Sequence, residues 1–86
     1  MPYIDNDERN TLQLEPIANA ITSPGMLNYA ITYLADHYLR REPLNYARIN
    51  EVIGVLACAQ QEFYRRVAVP YEDEKMRSNG DVFGRS

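Results

Sequence analysis

The chain has no tryptophan, one cysteine and one histidine in 86 residues. A lone cysteine, Cys58, excludes an internal disulfide, and Cys58 with His37 falls short of the soft-ligand set that a structural zinc ion needs. Long apolar runs are missing too. The longest, Val52 to Ala59, is far shorter than the roughly 20 residues that span a bilayer. The opening Met1-Pro2-Tyr3-Ile4-Asp5 has neither the basic nor the apolar stretch of an export signal, so a cytoplasmic protein without membrane association is expected. Neither sign of charge dominates, with 9 Lys and Arg against 12 Asp and Glu. A net charge of −3 exerts no general pull on nucleic acid or an anionic membrane, and neither is expected as a partner. There is no phosphate-binding glycine loop, no triad pattern and no metal-binding motif, so no cofactor is expected.

Length makes these absences matter. At 86 residues a single core stabilises a fold by only about 3 to 5 kcal/mol. With disulfide and metal removed, self-association is the remaining support, and a homodimer or higher oligomer is expected.

What the sequence does carry is helical periodicity. Leu27, Ala30, Ile31, Leu34, Ala35, Tyr38 and Leu39 step by three and four and predict a helix from Met26 to Arg40. Arg40 and Arg41 suit its C-terminal end and Pro43 stops it. Ahead of it, Ser23-Pro24-Gly25 reads either as a loop or as a serine cap with proline at the first helical position. Asn45 caps the next helix, whose stripe of Ile49, Val52, Ile53, Leu56, Phe63 and Val67 carries it to about Val69. Val52 to Ala59 is apolar all the way round, which predicts burial on more than one side. Gly54 within it predicts the close approach of another backbone. Pro70 either kinks this helix or opens a short one from Tyr71 to Arg77, with Asn79-Gly80 as the stop. Earlier, a short ill-defined turn over Asp5 to Thr11 and a helix over Glu15 to Thr22 are expected, with Pro16 in its first turn. The reading is an all-α fold: one domain, a small bundle of three main helices plus a short C-terminal helix, with residues 1–14 and 81–86 loosely ordered.

Leu27-Asn28-Tyr29-Ala30-Ile31 recurs in altered form as Leu44-Asn45-Tyr46-Ala47-Arg48-Ile49. The spacing is too short for a solenoid repeat, and two similar asparagine-capped helix starts account for it.

The polar side of the third helix is where chemistry would be built. Asn50, Glu62, Tyr64, Arg65, Arg66 and Tyr71 form a candidate ligand-binding set, with arginines to hold an anion and tyrosines to stack on a base. A plain surface ion pair between Glu62 and Arg66, four residues apart in the favourable order, explains the same residues without a ligand. The run Glu72-Asp73-Glu74 has no second acidic segment to complete a metal site, and consecutive helical residues point apart. Cys58 reads as a packed thiol, His37 as a surface residue, and most of the seven tyrosines as the edge of a core.

Four segments, Asn50-Glu51-Val52-Ile53-Gly54-Val55-Leu56, Glu62-Phe63-Tyr64-Arg65-Arg66-Val67, Pro70-Tyr71-Glu72-Asp73-Glu74-Lys75 and Asn79-Gly80-Asp81-Val82, together resemble a family of small uncharacterised proteins of tailed bacteriophages and prophages. The likeness covers about Leu27 to Phe83. It implies a phage origin and no particular activity, and it favours a host-directed binder. The expectation is therefore a non-enzymatic interaction protein that binds a host protein and serves counter-defence. The alternatives are an oligomer that sequesters a nucleotide-type ligand with Arg65 and Arg66, and, third, a metal-dependent nucleotide hydrolase.

Overall fold

The computed structural model describes residues 4–80. The segment after Gly80, expected to be loose, lies outside the described residues. Among the described residues the fold is all-α, with no strand. Two short helices, α1 (Asn6–Leu12) and α2 (Glu15–Ala20), precede the longer α3 (Pro24–Leu39) and α4 (Tyr46–Phe63). A π-helical segment, Tyr64–Ala68, then leads directly into α5 (Val69–Asn79), so that the last two helices join into one helix of 34 residues.

Local chemistry explains these bounds. The Asp5 carboxylate accepts from the Glu8 N–H at 2.9 Å, and Asp7 and Glu8 favour the positive end of the helix dipole. These effects make a helix where the sequence suggested an ill-defined turn. Gln13, in the left-handed region at φ 50°, ends it. Of the two readings of Ser23-Pro24, the structure shows the cap: the Ser23 hydroxyl accepts from the Met26 N–H at 3.2 Å and Pro24 stands in the first turn. That placement corrects the asparagine-cap account of the sequence echo. Asn45 does cap α4, accepting from the Arg48 N–H at 2.9 Å, but Asn28 lies inside α3. Gly80, at φ 90°, closes α5 with its N–H on the Met76 carbonyl at 2.9 Å.

Proline decides the form of the long helix. Pro70 has no N–H to donate, and its ring crowds the carbonyl four residues back. The helix neither stops nor continues unchanged. It widens instead: the Val69 N–H reaches back to the Tyr64 carbonyl, five residues away, and Pro70 falls in the first turn of α5.

The described residues divide into two units, one ending at Gly54 and one starting at Val55. In the first, Val52 is the buried residue and Ile49, Leu39, Ala35 and Ala30 are half-buried. Arg48 fastens α4 to α3. Its guanidinium donates through Nη2 to the carbonyls of Tyr38 and Leu39 at 3.0 and 3.1 Å at the end of α3, where the Tyr38 carbonyl also accepts from the Arg41 N–H at 3.4 Å. In the second unit, Ala68, Val69 and Glu62 are half-buried and the rest of the helix is exposed.

Several expectations of burial are overturned. Cys58 is exposed rather than packed, and Tyr29, Tyr33, Tyr38, Tyr46, Tyr64 and Tyr71 stand in solvent rather than at a core edge. A Cβ added at Gly54 would meet nothing within 4 Å, so among the described residues no other backbone approaches it. All three differences have one physical origin: the apolar faces of α3 and α4 are left largely uncovered by the described residues.

Candidate functional site

Five of the six candidate residues fall in the second unit, on or beside the π segment; Asn50 belongs to the first unit. Glu62 holds both arginines. Its carboxylate accepts from Arg65 Nη2 at 2.5 Å and lies 3.8 Å from Arg66 Nε. Both guanidinium groups are largely exposed while Glu62 is half-buried, so the anionic partner is the anchored one and the cations project outward. The pair anticipated from spacing, Glu62 with Arg66, is the longer of the two contacts.

The π segment also changes which residues share a face. Eight residues of plain α-helix would turn Tyr64 and Glu72 about 80° apart, at roughly 100° per residue. A single π turn takes up about one extra residue, which removes most of that angle. The Tyr64 hydroxyl accordingly donates to Glu72 Oε1 at 3.3 Å, bridging the segment and Pro70. Beyond it, Lys75 Nζ lies 5.6 Å from the Tyr71 ring centre and Arg77 bonds Glu74 at 2.7 Å. Glu72 and Glu74 thus turn to different partners. Among the described residues no group of three or more histidine, cysteine or acidic side chains could hold a metal ion.

A second cluster escaped the sequence reading. Arg48 lies 5.5 Å from the ring centre of Tyr38, and the Tyr38 hydroxyl donates to Glu51 Oε1 at 3.0 Å. That hydrogen bond, with the negative charge of Glu51, raises the Tyr38 pKa above its ordinary value. Arg48 Nε is buried without a hydrogen-bond partner. A signal for this cluster was present: the Asn45 cap places residue 48 in the first turn of α4, next to the loop, where a long cation can reach back to the end of the preceding helix. Its role here is to clasp two helices.

The third feature is apolar. Leu27, Ile31, Leu34 and Tyr38 on α3, and Ile53, Val55, Phe63 and Val67 along the long helix, are all exposed. On the other side of α3, Tyr29, Tyr33 and His37 form a ladder with successive ring centres 6.0 Å apart. No helix among the described residues is long and apolar enough to cross a membrane.

Residues 1–82 match the family model described as Domain of unknown function (DUF6899), and the chain belongs to that family. No curated protein and no solved structure matches it.

Proposed function

We propose that this member of the DUF6899 family is a non-enzymatic interaction protein, acting in the cytoplasm, whose exposed helical faces bind another protein. One observation carries the reading. Val52 is the buried apolar residue of the described chain, whereas large apolar side chains stand exposed along both long helical stretches. Covering a leucine, isoleucine or phenylalanine fully is worth about 1.5 to 3 kcal/mol, so binding energy is plentiful, and patches of this kind mark protein contacts. In its finer form the partner is a host protein and the chain a phage product that blunts defence; the support for that form is the likeness of the four sequence segments above.

A second reading has an observation of its own. Tyr64, Arg65 and Arg66 lie on a π segment, a departure that recurs at functional sites, and they suit a nucleotide-type anion. The engagement of both arginines by one glutamate weakens that reading, because the carboxylate already offsets part of their charge.

One experiment separates the two. A photo-crosslinking residue at Phe63 in the full chain, expressed in its source cells, should trap one protein in stoichiometric amount. The purified partner should then bind the unlabelled chain, and Phe63→Asp should weaken binding tenfold or more. A chain that traps no other protein but retains a nucleotide-sized mass in native mass spectrometry, lost on Arg65→Ala, would replace the interaction reading with sequestration.

A further inference from the structure

Helix α5 ends on Asn79, and Gly80 follows it. Of the chain's seven asparagines, Asn79 alone precedes a glycine. The other six lie inside helices or, at Asn45, hold a cap. Asn79 and Gly80 are both exposed, and a Cβ built on Gly80 would meet nothing within 4 Å. This last turn is tied down by the Gly80 N–H on the Met76 carbonyl at 2.9 Å and by the Ser78 hydroxyl on the Glu74 carbonyl at 3.2 Å.

We propose that Asn79-Gly80 is a site of self-modification, at which the chain converts its own asparagine to aspartate and isoaspartate whenever the end of α5 opens. The inference is independent of the interaction reading. In the first step the Gly80 N–H gives its proton to hydroxide and the nitrogen attacks Cγ of Asn79. A bond forms between the Gly80 nitrogen and Cγ, the Cγ–Nδ2 bond breaks, and Nδ2 takes a proton back from water and leaves as ammonia. Water then opens the five-membered imide. Cleavage at Cγ leaves aspartate, and cleavage at the backbone carbonyl carbon leaves isoaspartate, with the main chain rerouted through the side chain. The balance is one water in and one ammonia out, with no oxidation or reduction.

The geometry provides both the opportunity and the gate. Glycine has no Cβ to crowd its nitrogen as the ring closes, and the open space around Gly80 admits water. Against that, helical Asn79 holds the Gly80 N–H toward Met76, and an N–H already donating to a carbonyl is poorly placed to lose its proton. Ring closure therefore waits on fraying of the last turn, the opening that costs a helix least. The product then keeps the turn open. A new carboxylate stands at the negative end of the helix dipole and is repelled there. In isoaspartate the extra backbone carbon also breaks the register of the bond to Met76. The pair is thus a one-way device that shortens α5 with age.

Peptide mass mapping of the full chain, held in warm and mildly alkaline buffer, tests this directly. Cleavage after Arg77 releases a fragment that starts at Ser78. The exchange of ammonia for water should appear in that fragment first, as two separable isomers. In guanidinium chloride that unfolds the chain, the rate should rise at least threefold because the bond to Met76 is gone. Gly80→Ala should slow conversion at least fivefold in the denatured chain, where its effect on the helix end plays no part. Conversion of another asparagine as fast as Asn79 overturns the proposal, as does an intact Asn79 in folded protein once the denatured chain has converted. Equal rates in the folded and denatured chain overturn the gate.

Discussion

At the scale of single residues, Arg48 shows two opposed electrostatic effects and which of them wins. Its cation stands in the first turn of α4, near the positive end of that helix dipole, which costs about 0.3 to 1 kcal/mol. It is held there by two carbonyls of α3 and by the face of Tyr38. Hydrogen bonds from a charged donor are worth about 1.5 to 3 kcal/mol each before losses, so the clasp prevails over the dipole. Part of the gain is cancelled by the orphaned Nε. Arg48→Met keeps the apolar stem and removes both the bonds and the orphan, and should lower stability by about 1 to 2 kcal/mol. Urea denaturation at a fixed protein concentration measures it. An unchanged midpoint would mean that the clasp is incidental to the join between α3 and α4.

The elements show why helices are easier to read than their ends. Ser23, Asn45 and Gly80 stand where capping chemistry wants them, and each bounds a helix. Pro70 was the ambiguous signal, because proline ends, kinks or begins helices with equal legitimacy. The structure resolves it by a route the periodicity of three and four does not contain, a turn with bonds to the fifth residue. Removing the cause should remove the turn. Pro70→Ala restores a donor and relieves the ring's crowding, so plain α-helix should extend through residues 64–70 and stability should rise by about 1 to 2 kcal/mol. Amide hydrogen exchange over that segment, read alongside a denaturation curve, checks both parts. Persistence of the wide turn without proline would show that Tyr64 and Glu72, not Pro70, impose it.

For the whole molecule the central fact is how little apolar surface the described residues cover by themselves. The all-α class was legible because helical periodicity is a local signal, written every three or four residues from Leu27 to Val67. The candidate residues Glu62, Tyr64, Arg65, Arg66 and Tyr71 were legible as neighbours for the same reason. Burial was not. Cys58, Gly54 and the tyrosines are apolar or small by composition, and a sequence records that they could be covered without recording by what. If the missing cover is another copy of the chain, folding and association are linked, and the melting temperature should climb with protein concentration. Calorimetry over a hundredfold dilution range tests this; a flat melting temperature would mean that the chain folds without help from its own kind.

The wide turn before Pro70 also bears on how the long helix tolerates changes in chain length. One residue inserted into or deleted from an ordinary α-helix rotates everything downstream by about 100°, so the two halves lose their common face. Here the chain already carries that surplus residue and has set its faces accordingly, with Tyr64 meeting Glu72 across it. Seen this way, residues 64–68 are a stretch of slack in an otherwise taut rod. The helix could shed one residue there and remain a continuous helix, at the price of re-aiming α5.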